Sequence, residues 1–297
     1  MSSLFFDEIV LSTPPPMNVN DYNLYCFENI RFLSQNCNSL NLSVNHLDRD
    51  KGKSNIKLSS ILKNEAKIIC LQDTRVSKYE NKLKNIISLN KFGSYNLFLN
   101  SSLSERGVVT LINKSIPHEV YKIYKSRCEN LLMLDMSVCN ERFLLVNCYA
   151  PTQSINKDFF PSLRIKIEQI GLKKFCIVGD LNALTCNLPI NSHCYLNNYE
   201  TLNMKNIPNP IHTNNLVKWL KDDFCIDKYR ILYPNTKMFS YIPFNNLATN
   251  RSRIDHALVS NEFSPLISDV QYYDRVSNLF DHKPIILVGS KKKHFKL

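Results

Sequence analysis

The sequence predicts an α/β fold in which two packed β-sheets are flanked by helices. Short apolar runs typical of strands recur along most of the chain, and stretches with helical amphipathic spacing lie between several of them. Glycine occurs only six times and marks few tight turns. With 297 residues, the chain can bury a core either as one large domain or as two small ones.

The first 28 residues are predicted to be an N-terminal extension or linker. They contain a Ser-Thr-Pro-Pro-Pro run at 12–16 and show no clear periodicity. From residue 30 the pattern becomes regular. We therefore expect a folded domain over residues 29–290, followed by a basic tail at 291–297.

Strands and helices are then expected in the following order. Residues 30–36 alternate polar and apolar side chains as a strand does, and residues 67–75 begin with an apolar run that ends in a carboxylate. An amphipathic stretch at about 55–65 lies between them and predicts a helix. The remaining predicted strands lie at 107–112, 131–138, 142–149, 175–178, 238–242, 253–259, 270–273 and 285–288, and the remaining helices at about 77–89, 158–170 and 216–224.

Composition restricts the class of protein. No apolar run of about 18 residues occurs and the N-terminus lacks a signal-peptide pattern, so we expect no membrane span and no membrane partner. Among ten cysteines, Cys70, Cys148 and Cys176 lie inside apolar runs and no C-x-x-C spacing occurs, which is typical of reduced core cysteines in an intracellular reducing compartment. The net charge of +11 fits either a polyanionic partner or a lysine-rich solvated surface.

Polar side chains stand at the ends of several predicted strands. Any one of them alone is more often a turn former, a helix cap or a core residue. Six such strand ends together predict one rim with a polar site on it. The residues are Asn36 with Asn38, Asp73, Tyr149, Asp180 with Asn182, Asp255, and Asp281 with His282.

The apolar run that ends at Asp180 indicates the chemistry of this site. Gly179 frees the backbone there, and strand alternation places Asp180 and Asn182 on the same side. A carboxylate can orient or deprotonate a water and an amide can donate to an oxyanion, which suits work on a phosphate. Asp73 is a hard oxygen ligand suited to Mg²⁺. His282 has no companion at zinc spacing, so a protonated or hydrogen-bonding role is expected.

These motifs form an ordered set that resembles the endonuclease/exonuclease/phosphatase superfamily. Within it, the chain looks most like the apurinic-type endonuclease domain of LINE non-LTR retrotransposons, over about residues 30–289. The motifs are Gln35-Asn36-Cys37-Asn38-Ser39-Leu40-Asn41, Leu71-Gln72-Asp73-Thr74-Arg75, Asn147-Cys148-Tyr149-Ala150-Pro151, Val178-Gly179-Asp180-Leu181-Asn182, Arg253-Ile254-Asp255-His256 and Asp281-His282-Lys283-Pro284.

The resemblance implies a four-layer α/β sandwich, with two mixed, mostly antiparallel sheets face to face and helices outside. It also implies that Asp180 positions and activates the attacking water. Asn182 and Tyr149 would contact the scissile phosphate. His282, oriented by Asp255, would stabilise the charge that develops on it.

The metal site is likewise implied by the resemblance. Asp73 would hold a divalent cation, which would be Mg²⁺ or alternatively Mn²⁺. Asp281 would support the side of the site where this cation binds. Asn36 and Asn38 would complete or orient the surroundings of the ion.

Three residues depart from the family pattern. Asp73 stands where the family has Glu, one methylene longer, so weaker metal affinity is expected. Asn38 stands where repair enzymes have Asp, although retrotransposon members often have Asn. Phe280 replaces a Ser or Thr before Asp281 and removes a hydroxyl.

The segment 241–253 lies where LINE-type endonucleases carry a hairpin that enters a DNA groove. Asn245, Asn246, Arg251 and Arg253 are therefore predicted DNA contacts. An ordinary surface loop is the alternative.

The predicted function is a Mg²⁺-dependent endonuclease that nicks double-stranded DNA and leaves a 3′-hydroxyl and a 5′-phosphate. In LINE elements that 3′ end primes reverse transcription, so a reverse transcriptase domain in the same native polypeptide is an expected partner. The alternatives are a cellular apurinic-site repair endonuclease and a DNA-binding module with weakened catalysis. A nuclear location is inferred from the DNA substrate alone.

Overall fold

A computed structural model gives the fold of the chain. Within the described residues it contains two β-sheets, of seven and six strands, and five α-helices. Among these residues no helix has the length and apolar character that crossing a membrane requires. The described residues are 5–11, 27–40, 51–76, 79–89, 91–101, 106–152, 157–185, 201, 209–244, 251–274 and 279–290.

The strands are numbered in chain order. They are β1 (Phe6–Val10), β2 (Arg31–Asn36), β3 (Ile68–Gln72), β4 (Tyr95–Asn100), β5 (Val108–Asn113), β6 (His118–Ser126), β7 (Leu131–Val138), β8 (Glu141–Tyr149), β9 (Phe175–Asp180), β10 (Ile226–Asp227), β11 (Asp255–Val259), β12 (Ile267–Tyr272) and β13 (Ile285–Gly289). The seven-stranded sheet has the order β1-β6-β7-β8-β9-β11-β10, and the six-stranded sheet has the order β12-β13-β2-β3-β5-β4.

Four of the five helices cover the outer faces of the two sheets, and the shortest one packs against the core between the sheets. The helices are α1 (Lys51–Leu62), α2 (Glu80–Leu89), α3 (Phe159–Ile170), α4 (Pro210–Lys221) and α5 (Lys228–Leu232). In α3 the spacing of Phe159, Phe160, Leu163 and Ile167 places these four buried side chains on one face. Gly171 then ends the helix at φ 75, a left-handed conformation that glycine adopts readily.

In the part of the chain that the structure describes, three apolar cores separate four layers. Phe32 of β2 and Phe143 of β8 meet between the sheets, with ring centroids 6.1 Å apart. A second core packs α3 and α4 on the seven-stranded sheet, and a third packs α1 and α2 on the six-stranded sheet. The predicted four-layer α/β sandwich is confirmed.

Two hydrogen bonds join the two sheets near the predicted site. Gln72 Nε2 donates to Asn147 Oδ1 at 2.8 Å, and Asn147 Nδ2 donates to the Val109 carbonyl at 2.9 Å. Both amides are buried, and a buried amide is stabilising only when it is hydrogen-bonded. These bonds fix the spacing of the two sheets beside the ends of β3 and β8.

Strand pairing brings the predicted site residues to one rim. β2 runs parallel to β3, and β8 runs parallel to β9, so the carboxyl ends of each pair lie together. β11 is antiparallel to β9, and Asp255 at its start pairs with Asp180. β13 is antiparallel to β2, so the segment that precedes it also reaches this rim.

Two predictions about the positions of strands need correction. No strand was expected before residue 30, but Phe6–Val10 forms β1 and pairs with β6 at the edge of the sheet. Phe27 packs in the core between the sheets. A short edge strand with four exposed residues carries no buried alternation that a sequence pattern could reveal.

The second correction concerns residues 238–242, which were expected to form a strand. Tyr241 makes only isolated bridges there, to Ser252 and to His282. The segment crosses between the ends of the two sheets, and Ile242 N donates to the Asp281 carbonyl at 2.8 Å. It therefore closes the rim instead of extending a sheet.

Candidate active site

A cavity of about 480 Å³ opens at this rim. Eight of the nine predicted catalytic and metal-binding residues line it, and Asp255 lies directly behind His282. Its lining residues are Asn36, Asn38, Asp73, Arg75, Tyr149, Thr152, Asp180, Asn182, Thr201, Tyr241, Ser252, Ile254, Asp281 and His282.

Asp180 ends β9 at the centre of the cavity. The preceding residue, Gly179, has φ 139, and a Cβ on it would lie 1.9 Å from the Cys148 carbonyl oxygen, so only glycine fits. Asp180 Oδ1 accepts from the Asn182 backbone N–H at 2.9 Å, and Oδ2 accepts from Asn36 Nδ2 at 2.8 Å. Burial and the negative charge of Asp255 raise the pKa of Asp180 to about 7.

Asn36 is held in one orientation. Its Oδ1 accepts from the Asn38 backbone N–H at 2.9 Å, which leaves its Nδ2 directed to Asp180. The same Nδ2 lies 3.5 Å from His282 Nε2. The Asn36 amide therefore stands between the carboxylate and the imidazole.

His282 and Asp255 form a hydrogen-bonded pair. Nδ1 of His282 lies 2.8 Å from Asp255 Oδ2, and Nε2 lies 4.0 Å from Asp180 Oδ2. Burial lowers the pKa of His282, but the carboxylates of Asp255, Asp180 and Asp281 outweigh it and raise the pKa to about 9. At neutral pH the imidazole is protonated, with Nε2–H directed into the cavity.

Asp255 is itself held from behind. The backbone N–H groups of Ile254 and Asp255 both donate to Ser240 Oγ at 3.0 Å. Tyr272 OH donates to the Asp255 carbonyl at 2.7 Å. These contacts define where β11 begins and where the Asp255 carboxylate lies.

Tyr149 and Asn182 both lie next to Asp180: Tyr149 ends β8 and pairs with Asp180, and Asn182 follows β9. Burial and the charges of Asp73 and Asp180 raise the pKa of Tyr149, so its phenol keeps its proton at neutral pH. Asn182, at φ 46, donates from Nδ2 to the Ala150 carbonyl at 2.8 Å. One hydrogen of the Asn182 amide is therefore already used within the protein.

The three residues predicted to hold or support the metal ion all line the cavity. Asn38 Nδ2 donates to Asp281 Oδ2 at 3.1 Å. Asp281 Oδ1 is buried and has no hydrogen-bond partner among the described residues. Asp73 forms a two-pronged ion pair with Arg75, with Nε to Oδ1 at 3.1 Å and Nη2 to Oδ2 at 3.0 Å.

A second group of potential ligands consists of Asp180, Asp255 and His282. One ligand atom from each lies within 4.8 Å of the others, so the three could hold a metal ion. However, His282 Nδ1 and Asp255 Oδ2 are hydrogen-bonded to each other, and Asp180 Oδ2 accepts from Asn36. A metal there would have to displace these bonds.

Comparison with solved structures identifies the fold. The chain aligns with AP endonuclease LMAP from Leishmania major at a TM-score of 0.63 and 15% identity, covering 88% of both chains. The chain has the AP endonuclease fold. It aligns with an AP endonuclease from Archaeoglobus fulgidus at a TM-score of 0.65 and 15% identity, with 88% of this chain and 100% of that chain covered.

A third similar structure is the 3′ phosphatase NExo from Neisseria, bound to a product DNA hairpin. It aligns at a TM-score of 0.60 and 13% identity, with 88% of this chain and 100% of the other covered. No protein-family profile and no curated protein sequence matches the chain. The TM-scores establish the shared fold, and at identities this low the activity has to be argued from the site.

The predicted DNA contacts have different outcomes. Arg253 is fully buried, so the prediction that it contacts DNA is wrong. Asn245 and Asn246 lie outside the described residues, and Arg251 is partly exposed. Sequence patterns could not separate the two arginines, because both belong to the same polar stretch.

Arg253 belongs to a buried polar network behind the site. Its guanidinium forms an ion pair with Asp227 and donates to Thr185 Oγ1 at 2.6 Å. It also lies 3.3 Å from the hydroxyl of Tyr272, which binds the Asp255 carbonyl. The arginine therefore supports the start of β11, where Asp255 lies.

Replacing Arg253 by methionine is expected to lower the free energy of unfolding by about 3–5 kcal/mol, because Asp227 would stay buried without this cation. The measurement is urea unfolding. Arg251→Met is the matched control and is expected to change that free energy by no more than about 0.5 kcal/mol. Equal denaturation midpoints for the two variants would contradict the structural role of Arg253.

Other cavity residues were not singled out from the sequence. Arg75 and Tyr241 are the most informative of them. Arg75 lies within one of the family motifs but its side chain had no assigned role, and the ring of Tyr241 stands 5.1 Å from that of His282. No local signal marked Thr152, Thr201, Ser252 or Ile254 as lining residues.

Proposed function

We propose that this chain is a divalent-metal-dependent DNA endonuclease that leaves 3′-hydroxyl and 5′-phosphate ends. One observation carries the proposal. A carboxylate with a pKa of about 7 and a histidine with a pKa of about 9, Asp180 and His282, face one cavity with Oδ2 and Nε2 4.0 Å apart. The AP endonuclease fold and the net charge of +11 support it.

The two groups suit opposite tasks in phosphodiester hydrolysis. Asp180 accepts a proton from the attacking water, whose oxygen forms the new bond to phosphorus. The bond from phosphorus to the 3′ oxygen breaks, and that oxygen leaves and takes up a proton from solvent water, while Asp180 releases its proton to solvent. Protonated His282 and the Tyr149 phenol donate hydrogen bonds to the phosphate oxygens as negative charge builds up on them.

A divalent cation, Mg²⁺ or Mn²⁺, would be held by Asp73 and Asp281 with Asn38 beside them. The buried Asp281 Oδ1 without a hydrogen-bond partner among the described residues, and the oxygen-rich donor set, fit such an ion. When bound, the ion supplies neutralisation of charge on the phosphate. Arg75 already holds both Asp73 oxygens, so ion and arginine compete for this carboxylate.

Asp73→Glu is expected to tighten Mn²⁺ binding by about tenfold, because the longer side chain reaches further into the cavity and weakens the ion pair with Arg75. About tenfold is the lower end of the effects on affinity seen when the surroundings of metal ligands change. The dissociation constant can be measured by titration calorimetry without DNA. Asp135→Glu is the control, because Asp135 is also buried and is paired with Arg142 at 2.9 and 2.8 Å away from the cavity. An unchanged constant in Asp73→Glu would argue against Asp73 as a ligand.

The finer proposal is a retrotransposon-type nicking enzyme whose 3′ end primes reverse transcription. The ordered motifs and Asn38 support it, and a nuclear location and a reverse transcriptase domain in the native polypeptide belong to the same proposal. An apurinic-site repair endonuclease is the second candidate, supported by the similarity to two AP endonuclease structures.

Nicking of supercoiled plasmid tests the general proposal, and the choice of substrate separates the candidates. The wild type is expected to nick intact plasmid with Mg²⁺ or Mn²⁺ and not with EDTA. A preference of several orders of magnitude for abasic plasmid would favour the repair enzyme. DNA binding with a steep salt dependence and no nicking in any metal would replace the proposal with a binding module.

A further inference from the structure

Lys57 of α1 makes an unusual set of contacts under the rim. Its ammonium donates to three consecutive backbone carbonyls, those of Cys37, Asn38 and Ser39, at 2.8, 3.3 and 2.9 Å. The side chain is buried. All three N–H donors of the ammonium are thereby used on one short loop.

The loop needs such a cation. Asn38 and Ser39 have φ 42 and 69, left-handed conformations that side chains other than glycine rarely adopt. The N–H groups of Cys37, Ser39 and Leu40 are bound by carbonyls at the end of β3, at 2.9, 2.8 and 3.0 Å. This leaves three carbonyl oxygens directed towards α1, and a positive charge among them offsets their mutual repulsion.

Two amides that hold the carboxylates of the site lie immediately before this loop and within it. Asn36, immediately before it, donates to Asp180 at 2.8 Å, and Asn38, within it, donates to Asp281 at 3.1 Å. We propose that Lys57 is a positioning residue that holds these two amides in place, and through them the Asp180 and Asp281 carboxylates. The inference rests on the proposed function for its catalytic consequence.

Lys57 also contacts Phe280, in the segment that carries Asp281. The Lys57 ammonium lies 5.4 Å from the centre of the Phe280 ring, within the range of a cation–π contact. Phe280 directly precedes Asp281 and is buried. One ammonium thus contacts two of the segments that converge on the cavity, and the phenylalanine that replaces the family's Ser or Thr provides its aromatic face.

The test is Lys57→Met, which keeps an unbranched side chain one atom shorter than lysine and removes the charge. We expect kcat to fall by about 10- to 100-fold and the Mn²⁺ dissociation constant to rise about tenfold, which are the effects typical of altered surroundings of metal ligands. The side-chain amide NMR signals of Asn36 and Asn38 are also expected to shift. Lys228→Met is the matched control, because Lys228 is also buried and donates to the Ser264 carbonyl and hydroxyl at 3.0 and 3.1 Å away from the cavity.

The control is expected to leave kcat and metal affinity within twofold and the two amide signals unshifted. A folded Lys57→Met protein with all three readouts unchanged would overturn the proposal. If Lys57→Met does not fold, Phe280→Leu serves instead, because it keeps the lysine and removes the aromatic ring. In this variant the Asn38 amide signals are expected to shift, and unchanged signals would count against the inference. Should the wild type fail to nick DNA, the proposed function fails, while the NMR and Mn²⁺ measurements still decide the role of Lys57.

Discussion

Asp180→Asn is expected to lower kcat for DNA nicking by about 10²- to 10⁴-fold, the range associated with a general base. The asparagine keeps the shape of the side chain and its Oδ1 contact with the Asn182 N–H, but it cannot accept the proton of water. The Michaelis constant for DNA should change little, because the carboxylate acts mainly on the water.

A nicking assay under saturating metal, with thermal unfolding alongside it, measures this effect. Asp135→Asn provides the control, because it also neutralises a buried aspartate of the same sheet and should leave kcat within twofold. If Asp180→Asn retained more than a tenth of the wild-type kcat, Asp180 could not be the base.

The pH dependence of kcat/KM is expected to be bell-shaped, with limbs near the pKa values of about 7 for Asp180 and about 9 for His282. Below about pH 7 the Asp180 carboxylate becomes protonated and can no longer accept a proton. Above about pH 9 the imidazole of His282 loses its positive charge. Activity therefore rises through the first value and falls through the second.

Two variants are expected to move the acid limb in opposite directions. In Asp255→Asn both limbs shift to lower pH, because the Asp255 charge raises the pKa of Asp180 and of His282. In His282→Gln the alkaline limb disappears and the acid limb shifts to higher pH, because the imidazolium lowers the pKa of Asp180. The loss of its charge should also reduce kcat by about 10²- to 10³-fold.

These shifts are measured from full pH profiles at saturating metal for the wild type and both variants. Glu119→Gln is a suitable control, since Glu119 lies on β6 with its carboxylate bound by Tyr121 at 2.8 Å. Its profile should coincide with that of the wild type. Limbs that stay in place in Asp255→Asn would show that Asp255 does not set the charge of the pair.

Most of the fold was predictable from hydrophobic patterning, and the exceptions have local causes. β7 was predicted with its observed bounds, because six of its eight residues are apolar and seven are buried. β6 was not predicted, because a bulge between Val120 and Lys122 interrupts its alternation. β4 is an edge strand with four half-buried residues, which leaves little contrast between its two faces.

The site was predictable as a set of residues and not as a set of contacts. Polar residues at strand ends are visible in a sequence, and parallel pairing brings their strand ends together. The hydrogen bond from Asn36 to Asp180 joins residues 144 positions apart. No pattern of short range can show which amide reaches which carboxylate.

Charged residues that the sequence could not distinguish differ in their burial in the structure. Arg251 and Arg253 are two positions apart, yet only Arg253 turns into the protein and meets Asp227. Lys57 looks like any lysine of an amphipathic helix, and its three carbonyl partners come from a loop that follows β2. The partners of these residues lie in elements remote in the chain.

By itself, the sequence determined that apolar strands end in Asp180, Asp73 and their polar neighbours, because strand alternation and turn-forming residues are local properties. Only the tertiary structure decided that Arg75 holds Asp73, that Asp255 raises the pKa of His282, and that Lys57 supports the loop beneath Asn36. Charge, burial and hydrogen bonding depend on distances in space, and those distances are set by the packing of the two sheets and their helices.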